Sequence, residues 1–202
     1  MIQKCSANQF GIDPATLKKI DWPLAIRRIL VDVRSDFVYA PHVSNVFRHA
    51  AGSLCDQLRT LLGNGRFAPA SPITIEVPKS SRMQVSPPGS RGPSYSREGS
   101  ILLPYDRALY QIFADQAALL VEKKTDRTRS FSHILSALND ADMFRPSRAC
   151  WNQMQKALNR LSAKNSGYVI KADIANCFGS INQHTLVNHL DSIGYPSALK
   201  NA

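Results

Sequence analysis

The chain has 202 residues, of which 44% are hydrophobic, and it carries a formal net charge of +10. This length suffices for one ordinary domain or two small ones. No stretch approaches the roughly 18 apolar residues of a membrane span, and residues 1–5 lack the apolar core of a signal peptide. We therefore expect a cytoplasmic protein with no membrane partner. The basic excess favours a polyanionic partner, most commonly nucleic acid, over an acidic membrane surface.

The four cysteines lie far apart in the sequence and form no C-x-x-C pair. They are Cys5, Cys55, Cys150 and Cys177. We expect them to be reduced and mostly buried thiols, as is usual in a cytosolic protein.

Residues 1–65 are predicted to form a helical region. Asp13-Pro14 has the form of an N-cap followed by proline at the first helical position, and a second helix is predicted from Trp22 to about Val38. Apolar residues then recur at helical spacing up to a Gly63-Asn64-Gly65 turn. These are Val46, Phe47, Ala50, Ala51, Leu54, Leu58, Leu61 and Leu62. The region is either a plain packing layer or an extension that contacts a nucleic-acid template.

The next region, residues 66–165, begins with a strand and a basic segment. Apolar and polar residues alternate from Ile73 to Lys79, which predicts a strand. The segment 79–100 is rich in Ser, Pro and Gly and carries Arg82, Arg91 and Arg97, so it is predicted to be a basic loop. It is either a mobile cover over a nucleotide or template, or a solvated linker.

Two helices are predicted further along this region. Pro104 opens the first, which contains the string Asp106-Arg107-Ala108-Leu109-Tyr110-Gln111. The second begins at Phe144-Arg145-Pro146-Ser147 and carries an apolar stripe at a period of 3.6 residues. From this stripe we assign Trp151 and Met154 to the core. Between the helices lies Ser130-Phe131-Ser132-His133, which lacks the positioned third partner that nucleophilic catalysis requires.

The most informative stretch is Tyr168–Ile181. A short apolar strand brings Asp173 to its tip, Phe178 follows five positions later, and an amphipathic helix begins near Asn182. Carboxylate and carbonyl oxygens are the ligands that Mg²⁺ prefers, so the Asp173 carboxylate and the Ile174 carbonyl are candidate metal ligands. Lys171 shares a strand face with Asp173 because side chains alternate along a strand. The alternative is that Asp173 only caps the helix that follows.

This stretch resembles the first catalytic motif of reverse transcriptases of the bacterial and group II intron type. The positions in register are Lys171, Asp173, Ile174, Phe178, Ser180, Ile181 and Leu186. The Asp106–Gln111 string resembles a second conserved block of that family. The Ser130–His133 and Met143–Pro146 segments are similar to those of defence-associated and abortive-infection reverse transcriptases. The resemblance runs from about Leu58 to Leu190.

The resemblance implies a helix-rich mixed α/β chain of the α+β type. A helical layer (1–65) would precede the fingers (66–165) and the start of a right-hand polymerase palm (166–202). The implied activity is RNA-directed DNA synthesis in antiphage defence, by transfer of nucleotides at two metal ions. The implied cofactor is Mg²⁺, with Mn²⁺ as the alternative ion. The implied partners are an RNA template, a DNA primer and deoxynucleotide triphosphates.

The resemblance also implies a role for each matched residue. Asp173 would be the catalytic metal ligand together with Ile174, and Phe178 would contact the sugar of the incoming nucleotide. Lys79 and Arg97 would lie near its phosphates. The remaining nucleic-acid contacts would come from Arg82, Arg91, Arg107 and Lys171.

A second carboxylate pair, usually in a [YF]-x-D-D hairpin, does not occur in these 202 residues. We therefore expect the front of a longer enzyme, one subunit of a split enzyme, or a catalytically inactive nucleic-acid-binding or regulatory protein with a degenerate polymerase fold. A noncoding RNA or protein partner, the oligomeric state, the template, the priming mode and the defence trigger are left open.

Overall fold

The computed structural model describes residues 10–35, 41–78, 96–137, 140–163, 170, 172 and 180–197. Within these ranges the chain forms helices α1 to α7 and one two-stranded sheet. The order is α1 (Pro14–Lys18), α2 (Trp22–Asp32), a 3₁₀ turn (Val33–Ser35), α3 (Pro41–His49), α4 (Ala51–Gly63), β1 (Ile73–Pro78), β2 (Ser96–Ile101), α5 (Pro104–Lys124), α6 (Ser147–Ser162) and α7 (Gln183–Ser192). This content confirms the helix-rich α+β class, and the assignment of fingers and palm stays a prediction.

The predicted start of the first helix is confirmed. One carboxylate oxygen of Asp13 accepts hydrogen bonds from the backbone amides of Ala15 and Thr16, both at 3.0 Å. Such a cap satisfies amides that have no partner inside the helix. Asp21 caps α2 in the same way, because its side chain accepts from the Leu24 amide at 2.9 Å.

Two predicted helix boundaries are wrong. The second α-helix, predicted to reach about Val38, ends at Asp32 and is followed by the 3₁₀ turn to Ser35; Val38 lies outside the described residues. The single apolar stripe of residues 46–62 belongs to two helices, because the backbone leaves the helical region at Ala50, with φ −121° and ψ 12°. Hydrogen bonds from Ala50 to Val46 and from Leu54 to Ala50 (both 2.9 Å) keep the ladder nearly continuous across this break. The apolar positions therefore stay in phase, and the periodicity hides the break.

The main core lies between α2, α3, α4 and α5. Its least exposed large side chains are Phe47, Ile29, Leu58, Leu62 and Ile112. The segment before α1 closes one end of this core, since the Ile12 amide donates to the Leu62 carbonyl at 3.0 Å. At that crossing a Cβ on Gly11 would lie 2.8 Å from the Leu62 carbonyl oxygen. Only glycine allows the two backbones to approach this closely.

The strand predicted from residue 73 is confirmed, and the loop prediction is wrong for residues 96–100. β1 and β2 are antiparallel, with Ile73 opposite Ile101 and Pro78 opposite Ser96. The sequence of β2 is rich in Ser and Gly, which are poor strand formers, but pairing with β1 overrides this local preference. Gly99 also suits the close packing there, because a Cβ at that position would lie 2.8 Å from a methyl carbon of Val77.

Helix α6 departs from the sequence prediction in its packing. Trp151, assigned to the core, is 58% exposed, so that assignment is wrong. Met154 is half-buried and Cys150 is buried. None of the described α6 residues belongs to the main core cluster. The stripe of α6 therefore has the right period for burial, but period alone does not say whether another element covers it.

The structure places two of the four cysteines. Cys55 and Cys150 are buried free thiols, as expected, and burial raises the pKa of Cys55. Cys5 and Cys177 lie outside the described residues. Among the helices of the described ranges, none combines the length and apolar character needed to cross a membrane.

Candidate functional site

Most of the residues singled out in the sequence lie outside the described residues. They are Lys79, Arg82, Arg91, Lys171, Asp173, Ile174 and Phe178. Arg97 is described only by its backbone in β2, and Arg107 is described fully in α5. Of the strand predicted before Asp173, the structure describes only Ile170 and Ala172, and neither lies in a strand; Ile170 is 89% exposed.

The hairpin of β1 and β2 brings together the two ends of the basic segment. Pro78, the last residue of β1, pairs with Ser96, the first residue of β2. Paired Cα atoms in antiparallel strands lie about 4.5–5.5 Å apart. Pro78 and Ser96, which flank residues 79–95 in the sequence, thus lie side by side at one end of the sheet. In the same register Arg97 lies opposite Val77.

The Asp106–Gln111 string joins α5 to its neighbours. Asp106 accepts a hydrogen bond from the Ala70 amide at 3.2 Å, which holds the segment between α4 and β1 against α5. Arg107 forms an ion pair with Asp32 at 2.8 Å, and its side chain is only 14% exposed. Arg107 therefore has a structural role between α5 and α2, and its nucleic-acid contact stays a prediction.

A buried ion pair joins α2 to α5. The Arg28 guanidinium lies 2.7 Å from the Asp115 carboxylate, with 9% and 14% of the two side chains exposed. The Nε of Arg28 also donates to the Asp140 carbonyl oxygen at 3.2 Å. Gln111 donates to the same Asp115 oxygen at 2.6 Å. This pair was not predicted from the sequence, although a charged residue inside an apolar helical stretch is a usable signal for one.

Arg127 organises the turn after α5. Its guanidinium forms a bidentate ion pair with Glu122, whose Oε1 accepts from Nε at 2.9 Å. It also donates to the carbonyl oxygens of Ser130 (3.3 Å), Ser132 (3.0 Å) and His133 (3.3 Å). The hydrogen bonds from Arg127 lower the pKa of Glu122. The planar fork of arginine suits such a cluster of acceptors, and nothing in the charged loop sequence indicated it.

The Ser130–His133 and Met143–Pro146 segments lie side by side. The Ser136 amide donates to the Met143 carbonyl oxygen at 3.1 Å, and the Arg145 amide donates to the Ile134 carbonyl oxygen at 2.8 Å. The His133 ring meets the Phe144 ring edge to face at 5.1 Å. His133 has a φ of +50°, a conformation that only a few per cent of residues other than glycine adopt. The hydrogen bond from Arg127 to its carbonyl oxygen helps to hold it there.

An open groove of about 570 Å³ lies where these two segments meet α6. We call it the aromatic groove. Residues 129–133 form one wall, Phe144 and Arg145 form another, and the face of α6 that carries Trp151 and Met154 closes it. No Asp or Glu is among the described residues that line it. This groove was not predicted from the sequence, because the apolar stripe of α6 placed Trp151 in the core.

The described ranges contain no group of three or more His, Cys, Asp or Glu side chains placed to hold a metal ion. The predicted ligands Asp173 and Ile174 lie outside those ranges, so their fit to Mg²⁺ stays a prediction. Comparison with known proteins gave no matching family model, no matching curated protein and no matching solved structure.

Proposed function

We propose that this chain supplies the fingers and the first palm motif of an RNA-directed DNA polymerase that acts in antiphage defence. The observation that carries the proposal is the sequence motif with Asp173 after a short apolar run, Phe178 five residues later, and Ser180, Ile181 and Leu186 in register. Two features of the fold are compatible with it. The hairpin of β1 and β2 brackets the basic segment, and the two segments that resemble antiphage enzymes lie side by side.

In this proposal each matched residue has one task. The Asp173 carboxylate and the Ile174 carbonyl hold the metal, and Phe178 contacts the sugar of the nucleotide. Lys79 and Arg97 pair with its phosphates, for which cationic side chains are suited. When bound, Mg²⁺ or Mn²⁺ supplies activation of the primer hydroxyl and stabilisation of the leaving oxygen. The second carboxylate pair comes from outside these 202 residues.

The test is an incorporation assay on the assembly as it exists in its natural source. A tagged chain is purified with its bound partners, and its intact mass is compared with 22.4 kDa. A larger mass would locate the second carboxylate pair in the same polypeptide. Mg²⁺-dependent incorporation of deoxynucleotides on an RNA template with a DNA primer is then measured.

The decisive variant is Asp173→Asn, which keeps the size of the side chain and removes its charge. We expect incorporation to be abolished, because a neutral amide is a poor Mg²⁺ ligand. The matched control is Asp142→Asn, which changes an exposed aspartate, and we expect it to retain activity. Full activity in Asp173→Asn would refute the assignment of Asp173 as the catalytic metal ligand.

A second function is favoured by the charge of the chain and by the aromatic groove. A protein of net charge +10 with an exposed groove lined by arginine and aromatic rings fits a nucleic-acid-binding or regulatory protein without catalysis. That function predicts salt-sensitive binding that Asp173→Asn leaves unchanged, and no incorporation with any partner.

A further inference from the structure

The aromatic groove exposes flat rings that a folded core normally covers. Trp151 is 58% exposed and Phe144 is 37% exposed. Met154 is a helical neighbour of both Cys150 and Trp151, because residues three and four apart lie together on a helix, and all three line the groove. Cys150 is buried and Met154 is half-buried, whereas Trp151 is exposed.

The rim of the groove is cationic. Arg129 and Arg145 line it, and the Arg129 side chain is 88% exposed. Two acids lie near the rim: Asp126, whose carboxylate is 3.5 Å from the Nε of Arg129, with both side chains exposed, and Glu122, whose pKa is lowered mainly by Arg127 and to a smaller extent by the charge of Arg145. Exposed pairs of this kind contribute little to stability, so Arg129 can exchange Asp126 for another anion. The rim therefore favours an anionic ligand.

The wall opposite α6 is held in place before any ligand arrives. The Arg127 guanidinium donates hydrogen bonds to the carbonyl oxygens of Ser130, Ser132 and His133. Backbone hydrogen bonds between residues 134–136 and 143–145 connect this wall to Phe144. A preformed groove avoids the cost of ordering loops on binding.

We propose that the aromatic groove binds single-stranded nucleic acid, with unpaired bases stacked on Trp151 and the adjoining phosphates paired with Arg129 and Arg145. A ligand that is at once anionic and aromatic matches both the rim and the rings. In a duplex the base faces are stacked on each other, whereas a single strand presents them to aromatic side chains. RNA and DNA share this chemistry. The proposal does not rest on the polymerase function, because none of these residues belongs to the Asp173 motif.

The experiment measures binding of the full chain to fluorescently labelled oligonucleotides: single-stranded RNA, single-stranded DNA and a duplex of the same sequence. The intrinsic tryptophan fluorescence is a second readout. The chain has two tryptophans, and Trp22 is only 5% exposed. Stacking on Trp151 should therefore quench the exposed fluorophore selectively, even if other basic segments also bind the strand.

For Trp151→Ala we expect single-strand affinity to fall roughly 5- to 150-fold, the loss typical of one stacked base. The matched control is Leu161→Ala, which removes a side chain that is 61% exposed on the same helix but outside the groove, and it should bind normally. Trp151→Phe should restore most of the affinity. Arg129→Ala should make the affinity less dependent on salt, with a slope of log affinity against log salt concentration that is smaller by about 1, the value for one phosphate contact.

Quenching by RNA, by DNA or by both supports the proposal, and the ratio of the two affinities identifies the strand. Three results would overturn it: equal affinity of Trp151→Ala and the unmodified chain, duplex binding as tight as single-strand binding, or self-association through Trp151 with no quenching by oligonucleotides. The last result would make the groove a protein interface. Asp173→Asn should leave the quenching unchanged, so failure of the polymerase proposal and failure of this one are distinguishable.

Discussion

The ion pair between Arg28 and Asp115 offers a quantitative test of how α2 is held on α5. Asp115→Ala leaves the guanidinium buried without its carboxylate, a change that typically costs about 3–5 kcal/mol. The lower end of this range applies because the Nε of Arg28 still donates a hydrogen bond to the Asp140 carbonyl oxygen at 3.2 Å. We therefore expect a loss of about 3 kcal/mol in the free energy of unfolding. For a chain of this size that corresponds to a melting temperature lower by about 6–12 °C.

The assay is urea unfolding followed by the helical circular dichroism signal, with the slope of the transition checked for constancy. The control is Asp56→Ala, which breaks a pair with Arg59 whose side chains are 75% and 48% exposed. Both variants replace a helical Asp by Ala, so the difference in helix propensity cancels. We expect the control to lose less than about 1 kcal/mol, partly because Arg59 keeps its position 5.2 Å from the Trp22 ring centroid. Equal losses in the two variants would refute the reasoning.

Three further outcomes follow from single positions. Burial raises the pKa of Tyr195 to about 12 from about 10 in the unfolded chain. The buried, neutral phenol of Tyr195 therefore contributes fully to the free energy of unfolding below about pH 10. This contribution is lost as the pH rises from about 10 to about 12. The free energy of unfolding of Tyr195→Phe, measured over the same pH range, should not show this decrease. Gly11→Ala should cost about 1–3 kcal/mol in thermal unfolding, because its Cβ meets backbone atoms at 2.8 Å. Gly52→Ala, with nothing within 4 Å, should instead raise stability by about 0.5–1 kcal/mol.

Local signals predicted the framework well because they depend on neighbouring residues. The Asp13-Pro14 cap, the helix that starts at Pro104 and the strand from Ile73 are all present. Each rests on an interaction within a few residues, such as a side-chain cap, or on regular alternation. The break at Ala50 left no such trace, because the hydrogen-bonded ladder continues on both sides of it.

Interactions between distant residues were not predicted. Strand β2 exists because β1 pairs with it, and its own Ser- and Gly-containing sequence favours a loop. The exposure of Trp151 depends on which elements cover α6, and a period of 3.6 residues carries no information about that. The buried pair of Arg28 and Asp115 joins residues 87 positions apart. Only the fold decides which two charges of a sequence meet.

The arrangement of the three segments that resemble reverse transcriptases bears on the polymerase proposal independently of the metal motif. In the sequence they are separate: 106–111, 130–133 and 143–146. In the structure the Gln111 amide nitrogen lies 3.7 Å from the Met143 sulfur, and the last two segments adjoin through the contact of His133 with Phe144. The last two segments lie close together in the sequence as well, so only the approach of Gln111 to Met143 joins distant parts of the chain. Such proximity is what the polymerase proposal expects of these segments, and the Asp173→Asn assay tests that proposal, whereas the binding of Trp151→Ala to oligonucleotides tests the aromatic groove separately.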